Sequence, residues 1–175
     1  KILSDAGKII AKKAGAEISV NMGKMTIDWK EIPLSKEMDS LNVPIEVKGF
    51  DKGVAVNIGN PHIVFFGKSI ENINLNQIGP KIEKHNFFPN KTNVEFIEIL
   101  NSNTIKMKVW ERGAGLTLAC GSGACAAVYA GWKKKLLESS VEVQLEKGSL
   151  HINIIDEEAI MTGPAEISYN GNIQI

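Results

Sequence analysis

The stretch from Trp110 to Trp132 constrains the fold of this chain most, because it joins a strand pattern to a helix pattern through glycines and other small residues. Ile105, Met107 and Val109 alternate with polar residues just before it, which predicts a strand with one buried face. Apolar residues then recur at helical spacing, at positions 125, 128, 132 and 136. We therefore predict one long helix at the centre of the fold.

Cys120 lies directly ahead of this predicted helix, followed by Gly121, Ser122 and Gly123. The first turn of a helix has backbone N–H groups without internal partners and carries the positive end of the helix dipole. Such a position stabilises a thiolate and can also hold a carboxylate. We interpret Cys120 as a residue that removes or returns a proton at a carbon bearing a carboxylate. The alternatives are a plain Gly-x-Gly turn and a phosphate-binding loop, although the Lys-Ser/Thr of a Walker A motif is absent.

The composition excludes several classes of function. The chain has 175 residues, 43% of them hydrophobic, which is enough for one sizeable domain. With 20 basic and 20 acidic residues the formal net charge is +0, so we expect no nucleic-acid partner and no membrane partner. Its 3 histidines and 2 cysteines show no ligand spacing, so we predict no metal site and no disulfide framework. A reducing, cytoplasmic setting is the default expectation.

Most of the remaining chain predicts strands separated by turns. Alternating residues and turn signals predict strands or hairpins at residues 17–20, 45–47 with 54–56, 63–66, 92–100 with 105–110, 141–145 with 150–154, 160–161, and 167–169 with 173–175. A second helix is predicted over residues 75–82, where Gly79-Pro80 is expected to kink or restart it. A strand-rich chain with one long central helix belongs to the α+β class rather than to a parallel βαβ array.

The charged pair Glu111-Arg112 directly follows the predicted strand at residues 105–110. Arg112 can grip a carboxylate through two parallel hydrogen bonds. Glu111 could then bind an ammonium group or tune the thiol of Cys120. A solvated charge pair at the end of a strand is the simpler alternative.

Polar residues around a proline form a second candidate group. Pro61 fixes its own φ and pushes Asn60 towards extended geometry, so the side chains of Asn60 and His62 can be aimed. Asn93 stands at the start of the predicted strand 92–100. The alternatives are a packed or surface histidine for His62 and ordinary turn residues for Asn60 and Asn93.

Five segments of the chain closely resemble diaminopimelate epimerases. They read V-N-M-G at 20–23, G-N-P-H at 59–62, F-P-N-K-T-N-V-E-F at 88–96, W-E-R-G-A-G at 110–115 and A-C-G-S-G-A-C-A at 119–126. The match covers nearly the whole chain in the right order, and the last motif is specific. The resemblance implies an isomerase of amino-acid biosynthesis that interconverts LL- and meso-diaminopimelate, its small-molecule substrate, without a cofactor, on the bacterial route to lysine and peptidoglycan.

The resemblance also implies roles for the candidate residues. The family uses two cysteines on opposite sides of the substrate α-carbon, and Cys120 matches the second of them. His62 and Glu111 match the pair thought to adjust the thiols. The substrate-binding positions that the family motifs carry over are Asn60, Asn93 and Arg112 for the non-reacting end, Glu111 for the reacting ammonium, and the backbone N–H groups of Gly121 and Ser122 for the reacting carboxylate. Family members often have Thr where Ser122 stands, and the N–H contact survives that change.

The resemblance implies a domain organisation as well. The family fold has two pseudo-symmetric domains facing across a cleft, and this chain matches the second, a mixed and largely antiparallel sheet curled barrel-like around one central helix. Residues 1–20 and 166–175 would then be strands belonging to the N-terminal domain, and residues 21–165 the C-terminal epimerase domain. The family's Asn-Gly motif with the first catalytic cysteine does not occur here. We therefore expect the N-terminal domain of the same protein as a partner and no turnover by this chain alone; a homodimer is left open.

Two other functions remain alternatives to the epimerase. One is a related racemase or isomerase of the same fold that needs no pyridoxal phosphate, such as a proline racemase or a phenazine-biosynthesis isomerase. The other is a catalytically silent amino-acid-binding domain. The pair Glu111-Arg112, together with Asn93, argues for a substrate with a second charged end.

Overall fold

The computed structural model describes residues 2–4, 7–167 and 170–173. In these ranges the strands are β1 Ile2–Ser4, β2 Gly7–Ala14, β3 Glu17–Lys24, β4 Val54–Asn57, β5 Pro61–Gly67, β6 Asn93–Asn101, β7 Thr104–Glu111, β8 Gly115–Thr117, β9 Ser140–Leu145, β10 Gly148–Ile155 and β11 Glu158–Gly163. The helices are α1 Leu75–Glu83 and α2 Gly121–Lys133, with a short 3-10 helix at Ser40–Asn42. Neither α-helix in the described part of the chain has the length and apolar content needed to cross a membrane.

The strands form one mixed sheet in the order β1-β2-β3-β11-β10-β9-β7-β6-β5-β4, with β8 beside β7. Two neighbouring pairs, β5 with β6 and β7 with β9, are parallel, and the other pairs are antiparallel. A parallel pair needs a crossover connection, and α1 and α2 lie in these two connections. The predicted α+β class with a mixed, largely antiparallel sheet is therefore confirmed.

The sheet curls around α2. This helix contacts β4, β5 and β6 near one end of the strand order and β10 and β11 towards the other. Its residues from 123 to 131 are buried without a gap, so the helix is enclosed rather than laid on a surface. The curl is not closed by a pair of strands in the described residues: a single bridge joins Thr26 to Asn57, through two N–H···O bonds of 3.0 Å.

Residues on β5, β6 and β7 alternate between two hydrophobic cores. Val64, Phe66, Ile97 and Val109 point to the inner core, which contains α2. The intervening residues, Ile63, Phe65, Val94 and Phe96, belong to an outer core with Leu75 and Ile82 of α1. Successive side chains of a strand face opposite sides. Polar residues near the strand ends that lie an even number of positions from these inner-core residues therefore face α2 as well.

Some local predictions were wrong because distant pairing overrode the local pattern. Residues 45–47 are not a strand, and Val54–Asn57 pairs with β5 instead. The strand predicted at residues 17–20 is too short, because β3 continues to Lys24 along β11. The predicted second helix is confirmed as α1, and it continues through Pro80 without the alternative of a restart there.

The predictions for the chain ends are tested only in part. The last hairpin, at 167–169 and 173–175, is not seen in residues 167 and 170–173, which have no regular structure, while residues 168, 169, 174 and 175 lie outside the described residues. The helix α2 ends at Lys133, so position 136 lies beyond it. The predicted hairpins at 92–110 and 141–154 are confirmed as β6–β7 and β9–β10.

A methyl group at Gly79 tests how tightly α1 is packed. A Cβ there would lie 2.5 Å from two ring carbons of Trp110, whose indole is held by Glu83 of the same helix. Alanine gains about 1 kcal/mol over glycine in an exposed helix, whereas overpacking costs about 1–3 kcal/mol. The difference between these two effects is a loss of up to about 2 kcal/mol, which we expect Gly79→Ala to show as a lower free energy of unfolding in urea. The exposed Gln77→Ala on the same helix should change it by less than about 0.5 kcal/mol; a more stable Gly79→Ala would contradict this packing.

Candidate active site

The ends of three strands and the start of α2 meet at one edge of the sheet. His62 in β5 lies opposite Asn93, the first residue of β6, and Val94 lies opposite Trp110 of β7. The start of β5, the start of β6 and the end of β7 therefore lie side by side. This register brings together candidate residues from the sequence analysis that are far apart in the chain.

A buried pair of titratable groups lies on the α2 side of this edge. His62 Nδ1 is 2.7 Å from Glu95 Oε1, and both side chains have no exposed surface. His62 Nε2 is 3.1 Å from Asn60 Oδ1. Burial raises the pKa of the Glu95 carboxyl, and the neighbouring imidazole opposes that rise. Of the predicted residues, His62 and Asn60 are thus linked to each other and to a carboxylate that was not predicted.

Cys120 caps the N-terminus of α2, as the sequence predicted. Its extended backbone precedes the helix, and its Sγ accepts a hydrogen bond from Gly123 N–H at 3.3 Å and lies 3.5 Å from Ser122 Oγ. The residue is buried, with 7% of its surface exposed. Burial and the charge of Glu95 raise the pKa of the Cys120 thiol to about 11. The hydrogen bonds from the first turn lower this pKa, in the direction that the sequence analysis expected, but desolvation outweighs them in this structure.

Glycine at position 123 is required by how closely Glu95 approaches α2. A Cβ on Gly123 would lie 2.9 Å from Glu95 Oε1 and 3.3 Å from Cys120 Sγ. A side chain there would displace the carboxylate or the thiol. The position of this Cβ thus borders both the carboxylate of Glu95 and the sulfur of Cys120. The charge of Glu95 therefore lies next to the sulfur.

Glu111, at the end of β7, adds a second carboxylate to this cluster. Its Oε1 accepts a 2.6 Å hydrogen bond from Thr117 Oγ1 in β8. Its charge raises the pKa of both Glu95 and Cys120, which places it in the same electrostatic neighbourhood. The structure therefore brings Cys120, His62 and Glu111 together around Glu95.

Asn93 joins the two segments that carry the other predicted residues. Its Nδ2 donates to the carbonyl of Pro61 at 3.0 Å, and its Oδ1 accepts from the backbone N–H of Arg112 at 2.9 Å. The exposed side chain of Arg112 donates from Nη1 to the carbonyl of Asn90 at 3.2 Å. The amide of Asn93 thus holds the turn before β5 and the turn after β7 in one place.

Glu83 of α1 holds the same turn from the other side. Its Oε2 accepts from Trp110 Nε1 at 2.8 Å, and its Oε1 accepts from Gly113 N–H at 3.2 Å. Sequence reasoning missed Glu83 and Glu95. The available signals were weak: Glu83 continues the helical row of Leu75 and Gly79, and Glu95 interrupts an apolar strand on the same face as Asn93.

The arrangement can hold an anion and exchange a proton. The N–H groups of Gly121 and Ser122 are in the first turn of α2, where a helix offers them no internal carbonyl. A carboxylate bound there would lie beside the Cys120 sulfur. In the ranges that the structure describes, no three His, Cys, Asp or Glu side chains lie close enough together to hold a metal ion.

One cavity of the structure lies next to this edge rather than at the sulfur. It has a volume of about 420 Å³, and its lining includes Leu116, Thr117 and Leu118 but not Cys120. Leu116 and Leu118 are 51% and 48% exposed, which is a high fraction for leucine. Thr117 is the link between this cavity and the site, through its bond to Glu111.

Comparison with known proteins identifies related sequences. The family model described as diaminopimelate epimerase matches residues 54–168. A diaminopimelate epimerase from Pelagibacter ubique is 41% identical over 181 residues, covering 99% of this chain and 66% of that protein. One from Carboxydothermus hydrogenoformans is 49% identical over 156 residues, covering 88% of this chain and 57% of that protein. The chain thus spans only 57–66% of the length of these two relatives.

Solved structures support the fold. A hydroxyproline epimerase from Agrobacterium vitis superposes with a TM-score of 0.59 at 10% identity, covering 91% of this chain and 55% of that one. A predicted epimerase from Pseudomonas aeruginosa gives a TM-score of 0.56 at 12% identity, covering 93% and 63%. At such identities the likeness concerns the fold alone, and it agrees with the predicted class.

Replacing Asn93 by aspartate tests the joining role of its amide. The carboxylate still accepts from Arg112 N–H, but it loses the donor to Pro61 and places a charge against that carbonyl. An unsatisfied buried group costs about 1–3 kcal/mol, so we expect Asn93→Asp to lower the free energy of unfolding in urea by that amount. Asn86→Asp, on an exposed turn, is the matched control. It should change the free energy of unfolding by less than about 0.5 kcal/mol. Equal stability of the two variants would contradict the role.

Alkylation tests the protonation state of Cys120. With its pKa raised to about 11, the rate with iodoacetamide should rise about tenfold per pH unit between roughly pH 7 and 10, as the thiolate fraction does. Mass spectrometry places the label. Cys125 is the internal control, since it has no exposed surface and burial raises its pKa to about 12, so it should stay unlabelled in the folded protein. A rate that levels off below about pH 9 would contradict the raised pKa.

Proposed function

The chain belongs to the diaminopimelate epimerase family, and on that premise we propose that it forms part of an isomerase that interconverts LL- and meso-diaminopimelate. One observation carries the proposal: Cys120 caps α2 at the edge where His62, Glu95 and Glu111 converge. A thiol beside free helix N–H groups suits a reaction that moves a proton at a carbon next to a carboxylate.

The proposed chemistry removes the α-proton from one face of the substrate, and a second acid adds a different proton at the opposite face. The Cys120 thiolate takes this proton and becomes a thiol, leaving a carbanion whose charge spreads into the carboxylate. The N–H groups of Gly121 and Ser122 stabilise that charge, and their dipoles need no rearrangement as the charge develops. The reverse step returns the proton from the Cys120 thiol to the same face.

A second group must act on the opposite face, and this chain does not supply it. Cys125 is fully buried on α2 and is not a candidate. We propose the two-cysteine mechanism of the family, in which an N-terminal domain carries the first cysteine. Accordingly, residues 21–165 form one domain, residues 1–20 and 166–175 belong with the N-terminal domain, and the chain alone does not turn over. The limited share of its relatives' length supports this division.

The substrate itself is proposed to promote ionisation of Cys120. Burial, Glu95 and Glu111 all raise the pKa of this thiol. Glu111, with Thr117 already bound to its Oε1, is the proposed acceptor for the substrate's reacting ammonium. That cation offsets the carboxylate charges, so the thiolate becomes accessible once the substrate is bound. In this proposal His62 and Glu111 adjust the thiol together.

The non-reacting end of the substrate is proposed to bind at the turn after β7. The guanidinium of Arg112 is exposed, and Asn60 lies across the edge at Nε2 of His62. Arginine forms paired hydrogen bonds with a carboxylate, which favours a substrate with a second charged end. Asn93 contributes to this subsite by holding both turns. The proposed location of the enzyme is the cytoplasm.

Deuterium exchange tests the proposal. A full-length protein containing this chain is incubated with LL-diaminopimelate in heavy water, and label at the α-position is measured by mass spectrometry. Cys120→Ala should reduce exchange by about 10²–10⁴-fold and Cys120→Ser nearly as much, because this is what removing a general base costs. Cys125→Ala is the matched cysteine control, and its rate of deuterium exchange should be close to that of the parent protein.

The outcomes separate the candidate functions. Full exchange in Cys120→Ala would refute the role of this thiol. If the parent protein left the α-position unlabelled, a silent amino-acid-binding domain would replace the epimerase. Labelling of proline in place of diaminopimelate would indicate a racemase of the same fold.

A further inference from the structure

The carboxylate of Glu95 is buried in a way that folding alone does not require. It has no exposed surface, its Oε1 meets His62, and its Oε2 has no hydrogen-bond partner in the part of the chain that the structure describes. Removing a carboxylate from water costs several kcal/mol, and a buried ion pair is often no more stable than apolar residues of the same size. A buried carboxylate with an unpaired oxygen therefore calls for a functional account.

The hydrogen bonds of the imidazole indicate where its protons are. His62 Nδ1 lies 2.7 Å from Glu95 Oε1, and Nε2 lies 3.1 Å from Asn60 Oδ1. An amide oxygen can only accept, so Nε2 carries a hydrogen in this arrangement. An ionised Glu95 also only accepts, so Nδ1 carries one too. With Glu95 ionised, the pair is an imidazolium and a carboxylate; with Glu95 protonated, it is a neutral imidazole and a carboxylic acid, and in both cases its net charge is zero.

The groups that face Glu95 come from three elements. They are His62 in β5, Cys120 at the start of α2 and Glu111 at the end of β7. The close approach at Gly123 places Glu95 Oε1 and Cys120 Sγ against the same point in space. A change in the net charge of the His62–Glu95 pair therefore acts directly on the sulfur.

We propose that Glu95 is a positioning residue, which fixes the imidazole of His62 through Nδ1 and so couples the protonation of His62 to the ionisation of Cys120. While His62 is protonated, the charge of Glu95 is cancelled and a thiolate at Cys120 meets only Glu111. When His62 loses its proton, the uncancelled carboxylate opposes the thiolate. This role rests on the proposed epimerase function, but the coupling itself can be measured without turnover.

Replacing Glu95 by glutamine separates this role from a merely structural one. Wherever His62 does not cancel the charge of Glu95, the variant removes a charge that raises the pKa of Cys120, so alkylation of Cys120 at a fixed alkaline pH should become about tenfold faster, equivalent to about one pH unit. It also releases His62, so kcat of the full-length enzyme should fall by about 10²-fold. Since Glu95 is buried beneath the site, KM should stay within about twofold. The change in the thiol should appear as a shift of the alkylation profile to lower pH, whereas loosened packing would raise the alkylation rate at every pH.

Glu98→Gln is the matched control, with the same charge change on the same strand. Glu98 faces the other side of β6 and accepts from Ile70 N–H at 3.1 Å. Its variant should leave both the alkylation rate and kcat within about twofold. Wild-type alkylation in Glu95→Gln, or an equal change in Glu98→Gln, would overturn the proposal.

A measurement on the unaltered protein tests the proposed role of Glu95 even if Glu95→Gln does not fold. Long-range nitrogen–proton NMR correlations of the His62 ring should show a hydrogen on Nδ1, which faces Glu95, as well as on Nε2. A single hydrogen, on Nε2 only, would overturn the proposal. Neither NMR nor alkylation depends on turnover. Absence of deuterium exchange would therefore refute the epimerase function while leaving the coupling between Glu95, His62 and Cys120 separately decided.

Discussion

The position of Cys120 depends on how a buried carboxylate packs beneath the first turn of α2. Glu95 occupies the space that a side chain at residue 123 would fill, so the helix can begin this close to β6 only with glycine there. The ion pair with His62 offsets part of the cost of burying the carboxylate. The rest is offset by the enclosed apolar body of α2, which packs against five strands. The contact between Glu95 and Gly123 thus sets how closely α2 approaches β6, and with it the position of the Cys120 sulfur.

Opposing electrostatic effects act on that sulfur. The N–H of Gly123 and the hydroxyl of Ser122 favour the thiolate, whereas burial and two carboxylates disfavour it, and the second group prevails. A helix N-terminus therefore does not by itself make a cysteine acidic; the solvent exposure and the net charge around it decide the direction. In the proposed function, the ionisation of this thiol becomes favourable when the substrate's ammonium group enters the site.

A second set of contacts holds the edge around the thiol. Asn93 joins the turns on either side through backbone groups, and Glu83 holds the turn after β7 from α1. These buried side chains bond to backbone rather than to each other, so they fix where the chain runs. A site whose surrounding turns are held in this way can bind a charged ligand without a large loss of conformational entropy on binding.

The sequence alone determined the local elements and most of the candidate residues. Alternation predicted β6, β7, β9 and β10, helical spacing predicted α2, and small residues around Cys120 predicted its place at a helix start. It failed at residues 45–47, where buried residues alternate without forming a strand, because pairing with a distant strand decides which segments join a sheet.

Only the tertiary structure decided that Glu95 lies between His62 and Cys120 and that the thiol is hard to ionise. Burial and mutual distance depend on which strands become neighbours, and the register that sets this is a property of the whole sheet rather than of any segment.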